Sequence, residues 1–224
     1  MKVKIIYFKN FFYKNAFHFI TKIILSNSII LISGGNSIKK IIQNSKKKVF
    51  INKVRTIILS DERIYNNIND IRTNYTNLKK NFFKFYKLKK LSFIYFSLGR
   101  KCKTLIQNSC NKVKNKIPDV AILSLGADGH ICSIFQTKNN IKICKFIDIV
   151  KPNNKIRRVT FNVNFLRKIK KIYIVAHGRK KGLVLNKILL KKKTKFPLIN
   201  LNKIIFILDG AAHKKIKQSL TKQI

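Results

Sequence analysis

The apolar positions of this chain fall in short continuous runs: Ile29–Ile32, Thr56–Leu59, Phe93–Phe96, Val120–Leu123, Ile172–Val175 and Ile204–Leu208. Each is rich in β-branched or aromatic residues, bounded by turn formers, and apolar throughout rather than alternating. Strands buried on both faces read this way. Segments long enough for a helix separate most of the runs, which predicts an α/β fold with a mainly parallel sheet covered by helices. Ahead of the first run, Phe12, Ala16, Phe19, Ile20, Ile23 and Ile24 recur at helical spacing, with Lys14, His18 and Lys22 on the other face. This predicts an amphipathic helix with His18 in solvent. No Pro- or Gly-rich linker divides the chain, so residues 1–224 are expected to form a single domain.

Polar motifs fall in register with these runs. Ser33-Gly34-Gly35-Asn36-Ser37 follows the first and Asp61-Glu62-Arg63 the second. Gly126-Ala127-Asp128-Gly129-His130 follows the fourth and His177-Gly178-Arg179-Lys180-Lys181 the fifth. In a parallel sheet the carboxyl ends of the strands share one edge, so four sequence-distant motifs are expected to converge on one crevice, where open α/β sheets bind ligands.

Composition changes this picture little. The net charge of +43, from 50 Lys+Arg against 7 Asp+Glu, invites a nucleic-acid reading. However, the basic residues are mostly Lys, scattered along the whole chain and accompanied by many Ile, Asn and Phe. An AT-rich coding bias produces that pattern without selection for a partner, so no specific nucleic acid is expected. The lysine runs Lys46–Lys48 and Lys191–Lys193 read as solvated loops or helix ends. The charge should still attract anionic substrates, and less so in salt. Cys102, Cys110, Cys132 and Cys144 show no metal-ligand spacing, so reduced thiols in a cytoplasmic protein are expected and no metal is. Lysines interrupt the apolar N-terminus, which excludes a bilayer span there.

The block around Asp128 and His130 carries the most chemistry. A carboxylate and an imidazole stand two residues apart between glycines, in a chain with only seven acidic residues and four histidines. Ser33-Gly34-Gly35, leading into a helix-like stretch, suits a phosphate held by backbone amides, and Arg158 and Lys181 offer counter-charges. Glu62 is the only glutamate in the chain. No Gly-x-Ser-x-Gly elbow occurs, so a serine esterase is not indicated.

Taken in order, these motifs resemble the 6-phosphogluconolactonase family, within the wider glucosamine-6-phosphate isomerase/deaminase group, from about Phe12 to the end. The family's Ser-Gly-Gly-Ser-Thr-Pro loop is similar to Ser33–Ile38, and its Asp-Glu-Arg motif stands as Asp61-Glu62-Arg63. A later Ser-Asn is similar to Thr73-Asn74. The Leu-Gly-x-Gly-x-Asp-Gly-His-x-x-Ser-Leu-Phe-Pro block is similar to Leu123–Gln136, the most specific of the matches. Arg-Ile-Thr is similar to Arg158-Val159-Thr160, Gly-x-x-Lys to Gly178–Lys181, and the closing Leu-Asp-x-Ala-Ala to Leu208–Ala212. Asn36, Ile38, Ser124 and Gln136 depart from the family pattern.

The resemblance implies a modified doubly wound (Rossmann-like) topology and hydrolysis of 6-phospho-D-glucono-1,5-lactone without a cofactor. It implies His130 as general base, for which the ordinary histidine pKa of about 6.5 is suited. Asp128 would orient the sugar or the imidazole, and Arg63 would hold substrate or the oxyanion. Gly34, Gly35, Ser37, Asp61, Glu62, Arg158 and Lys181 would bind substrate or its phosphate. The expected partner is the phosphorylated sugar lactone, met by a monomer with no membrane contact. The sister activity, glucosamine-6-phosphate deaminase/isomerase, places a glutamate five residues after the motif histidine, and Phe135 stands there. A basic nucleic-acid-binding or decayed, non-enzymatic protein is the rival of another class, although drift strong enough to inactivate the chain should have erased its rare acidic motif residues.

Overall fold

The computed structural model describes residues 3–43, 47–67, 69–82, 91–96, 102–113, 115–135, 140–152, 156–190 and 203–224. Its strands are β1 (Val3–Phe8), β2 (Ser28–Ile32), β3 (Val54–Leu59), β4 (Asp61–Arg63), β5 (Ser92–Ile94), β6 (Val120–Ser124), β7 (Asn140–Lys142), β8 (Ile147–Val150), β9 (Arg158–Phe161), β10 (Lys171–Ala176), β11 (Ile204–Asp209) and β12 (Thr221–Gln223). Its helices are α1 (Phe12–Ile23), α2 (Asn36–Gln43), α3 (Lys47–Lys53), α4 (Asn74–Phe82), α5 (Cys102–Val113), α6 (Val163–Lys168), α7 (Arg179–Leu190) and α8 (Gly210–His213).

Eight strands form a wholly parallel sheet in the order β12-β1-β11-β10-β6-β2-β3-β5. From β2 the chain builds outward through β3 and β5, and from β6 it builds the other way through β10 and β11. The direction therefore reverses between β2 and β6, and at such a reversal the loops leaving the two strands part and open a crevice. This is the mostly parallel α/β architecture expected from the sequence.

Side chains alternate across each strand, and both faces are covered. Ile30 and Ile32 of β2, with Ile57 and Leu59 of β3, pack under Phe12, Ala16, Phe17 and Ile20 of α1 and Ile38, Ile41 and Ile42 of α2. Ile29, Leu31 and Ile58 face the opposite side with Leu123, Ile174 and Phe206, against Phe165 of α6, Leu185 of α7 and Ala212 of α8. Ile38, which departs from the family's proline, is one of these core residues and 1% exposed.

Three features differ from the sequence expectations. β1 lies inside the sheet, between β12 and β11, where the sequence reading saw only an apolar N-terminus interrupted by lysines. A second sheet, antiparallel and ordered β4-β9-β8-β7, sits beside the first. Cys110 and Cys144 form a disulfide across 34 residues of sequence, where reduced thiols were expected. The fold brings the end of α5 to the β7–β8 turn, a proximity that cysteine spacing does not carry. Lys46, Lys191–Lys193 and Gln136 lie outside the described residues. No helix among the described residues is long and apolar enough to cross a membrane.

Candidate active site

A cavity of about 370 Å³ opens at the carboxyl ends of β2, β6 and β10 and is closed on one side by the small sheet. Of the sequence-derived residues, Gly35, Ser37, Asp61, Arg63, His130, Arg158 and Lys181 line it.

The turn after β6 is built so that His130 folds back on Asp128. The Gly126 amide donates to the His130 carbonyl at 2.8 Å, and Gly129 adopts φ 90°, a conformation open to glycine. A Cβ on Gly126 would collide with His130 Nδ1 and Asp128 Oδ1, so the motif's first glycine leaves the space in which the pair meets. Asp128 Oδ1 then contacts His130 Nδ1 directly. Partial burial opposes ionisation of Asp128, but the His130 hydrogen bond and charge outweigh it and hold the carboxyl below its ordinary range. An ionised carboxylate accepts only, so Nδ1 is the donor of this pair, which leaves Nε2 as the ring nitrogen free to meet a ligand. The Phe135 ring packs on His130, with centroids 4.5 Å apart.

The small sheet places the Asp-Glu-Arg motif. In the β4–β9 ladder Asp61 stands opposite Thr160, and Arg63 opposite Arg158. With a period of two, Asp61 and Arg63 face the cavity while Glu62 faces away. Glu62 therefore does not line the cavity, although the sequence reading placed it among the substrate-binding residues. It is fully buried and accepts three backbone N–H bonds: Arg63 N and Asn74 N at Oε1, both 2.7 Å, and Tyr75 N at Oε2, 2.6 Å. The carboxylate thereby caps the start of α4. Burial pushes its pKa up to about 7 against those three bonds.

Asp61 anchors the cavity floor. Its Oδ1 accepts from Ser60 Oγ and its Oδ2 from Ser133 Oγ, both at 2.6 Å. Ser60 Oγ lies 3.2 Å from Ser33 Oγ, which accepts from Ser124 N at 3.4 Å. A chain of hydrogen bonds thus runs from the Ser124 amide through the Ser33 and Ser60 hydroxyls and the Asp61 carboxylate to the Ser133 hydroxyl. Gly34 is not on the cavity wall: it packs against Asn74, where a Cβ would clash, so its part is the close approach of the loop to α4. Asn74 in turn donates to the Asp61 carbonyl at 2.9 Å and accepts from Arg63 Nη1 at 3.4 Å.

The two counter-charges sit among different partners. Lys181 Nζ donates to Ser37 Oγ at 3.0 Å and Ser124 Oγ at 3.1 Å, beside Gly35 and the first turn of α2. Burial pulls its ammonium below the ordinary lysine range. The hydroxyl of Ser124, a departure from the family's glycine, has become a Lys181 acceptor. Arg158 instead lies with its guanidinium 5.3 Å from the Phe135 ring centre and Nη1 3.5 Å from Ser133 Oγ. Its buried Nε has no hydrogen-bond partner among the described residues. Burial lowers its pKa, Asp61 opposes that and Arg63 reinforces it. Cys132 also lines the cavity, but burial lifts its thiol well above the ordinary value, so it stays protonated.

Tyr13, Lys40, Asn74 and His177 complete the walls. Sequence reasoning left Tyr13 and Lys40 out, because only the packing of α1 and α2 onto the sheet edge brings them there.

The sequence model of the family described as glucosamine-6-phosphate isomerases/6-phosphogluconolactonase matches residues 23–205. A probable 6-phosphogluconolactonase of Drosophila melanogaster is 28% identical over 116 residues, 47% of this chain and 48% of that protein. The match therefore spans about half the length of that curated relative. A solved 6-phosphogluconolactonase from Trypanosoma brucei superposes with a TM-score of 0.78, over 96% of this chain and 99% of that one, at 17% identity. A monomeric glucosamine-6-phosphate deaminase superposes with a TM-score of 0.74, over 96% of this chain and 100% of that one, at 13% identity. Likeness at these identities speaks for the fold, which the two enzyme types share.

Proposed function

Because the chain belongs to the glucosamine-6-phosphate isomerase/6-phosphogluconolactonase family, we propose that it hydrolyses 6-phospho-D-glucono-1,5-lactone to 6-phosphogluconate. The observation that carries this reading is His130, held by Asp128, on the wall of a cation-lined cavity, with Phe135 in place of a carboxylate beside the imidazole.

His130 Nε2 takes a proton from water as the water oxygen bonds to the lactone carbonyl carbon. Asp128 keeps the imidazole in the tautomer that can accept it and offsets the positive charge that forms. Arg63 and Arg158, paired across the β4–β9 ladder on the cavity wall, stabilise the oxyanion. The tetrahedral intermediate then breaks its bond to the ring oxygen, which leaves with the proton held on His130. Water and lactone become a hydroxy acid, and the base is restored. Lys181, Ser37 and the amide of Gly35 hold the 6-phosphate, assisted by the partial positive charge at the N-terminus of α2. In this reading Arg158 serves the reacting end rather than the phosphate, a change from the role the resemblance implied.

The deaminase reading lacks a carboxylate at the Phe135 position. The high positive charge acts, in this reading, as a long-range attraction for a dianionic substrate. The test is hydrolysis of freshly generated lactone against its spontaneous opening, with acceleration that follows the protein through purification. A rate indistinguishable from the spontaneous one would sink the proposal.

A further inference from the structure

The lactonase chemistry leaves His177 without a part, yet the residue lines the same cavity as Lys181 and Ser37. It follows β10, and its ring is held from several directions. Phe12 and Tyr13 pack against it with centroids 5.2 and 4.9 Å away. The Tyr13 hydroxyl lies 3.3 Å from Nε2 and 3.4 Å from Nδ1. Asp209 Oδ2 is 3.6 Å from Nε2, while Asp209 Oδ1 accepts from Gly178 N at 2.9 Å and Ala212 N at 3.0 Å. The carboxylate is thus fixed by two backbone donors and turned toward the imidazole. Lys40, also on the cavity wall, places its ammonium 5.8 Å over the Tyr13 ring.

A solvated loop histidine needs none of this support. An imidazole oriented by a carboxylate and two aromatic rings, at the rim of a charged cavity, has the preorganisation of a binding group. The wall it occupies also carries Lys181, Lys40 and the first turn of α2, and offers donors to an anion. We propose that His177 is a phosphate-binding residue that, with Lys181 and Ser37, makes the site prefer phosphorylated over unphosphorylated lactones. This rests on the lactonase reading for the identity of the ligand.

The test compares wild type with His177→Phe, which keeps an aromatic ring between Phe12 and Tyr13 and removes the donor. Binding of 6-phosphogluconate and of gluconate is measured by calorimetry, and kcat/KM for 6-phosphogluconolactone and for glucono-1,5-lactone by initial rates. The expected result is a loss of about tenfold or more for the phosphorylated ligand and substrate, the scale of one hydrogen bond to a charged group. The unphosphorylated pair should change less than about twofold, inside the scatter of one weak contact. Unchanged phosphate affinity, or equal losses for both pairs, would overturn the inference in favour of a loop-packing role. If His177→Phe loses its cooperative unfolding transition, His177→Leu, which also lacks a donor, carries the same comparison. Wild-type hydrolysis is scored separately, so a protein that binds 6-phosphogluconate through His177 but hydrolyses no lactone refutes the activity and leaves this assignment standing.

Discussion

Phe135 lies on the face of His130, with ring centroids 4.5 Å apart, where the deaminase pattern would put a glutamate. Aldose–ketose isomerisation needs proton transfers at two carbons and the ring oxygen, whereas lactone opening needs one shuttle. The protein should therefore release no ammonia from glucosamine 6-phosphate while accelerating lactone hydrolysis. Ammonia release that co-purifies with the chain would reverse the assignment within the family.

His130→Ala should lower kcat by roughly 10²–10⁴-fold, the scale of a lost general base. The fold should remain, because the His130 side chain is a wall of the cavity rather than part of either core. Circular dichroism and initial rates check the two halves. Retention of more than about a tenth of wild-type turnover would remove His130 as the base.

Lys181 and Arg158 should separate kinetically. Lys181→Ala is expected to raise KM and weaken competitive inhibition by 6-phosphogluconate, by about 1.5–3 kcal/mol, with a smaller effect on kcat. Arg158→Gln is expected to act chiefly on kcat, since its partners lie at the His130 end. The reverse pattern would return the phosphate to Arg158.

Glu62 makes stability depend on pH. Burial raises its carboxyl from 4.5 to about 7 in the folded chain. A group that binds its proton more tightly when folded stabilises the fold fully below its unfolded value, and that contribution is lost as pH rises through about 7. The swing is roughly 3 kcal/mol at 1.36 kcal/mol per unit. Denaturant unfolding at pH 5 and pH 8 should show wild type losing more stability across the interval than Glu62→Gln, which cannot ionise. Parallel losses would assign the pH dependence to other groups.

The central strands were legible because burial on both faces leaves a continuous apolar run, as in Ile29–Ile32 and Val120–Leu123. The small sheet was not. Its β4 is three charged residues with no strand propensity of their own, and β9 supplies the ladder that makes them a strand. β12 is Thr-Lys-Gln at a sheet edge and carries no apolar signal. Asp128 and His130 stood out because glycines and rare acidic residues rarely coincide. The same rarity drew attention to Glu62, whose carboxylate satisfies three backbone amides in the fold. His177 was visible as a strand-end residue, but its partners come from α1 and from the end of β11, which only tertiary packing assembles.

The register that sets Arg63 opposite Arg158 has a further consequence. Like charges facing each other across a ladder repel, but the Asp61 carboxylate acts on Arg158 more strongly than Arg63 does, so the pair is held by a shared anion. A substrate anion lying between the two arginines would add a second negative partner to the one Asp61 already supplies. 6-phosphogluconate should accordingly raise the melting temperature of wild type more than that of Arg158→Gln. Ligand binding and the stability of the small sheet are in this way linked at a single cross-strand pair.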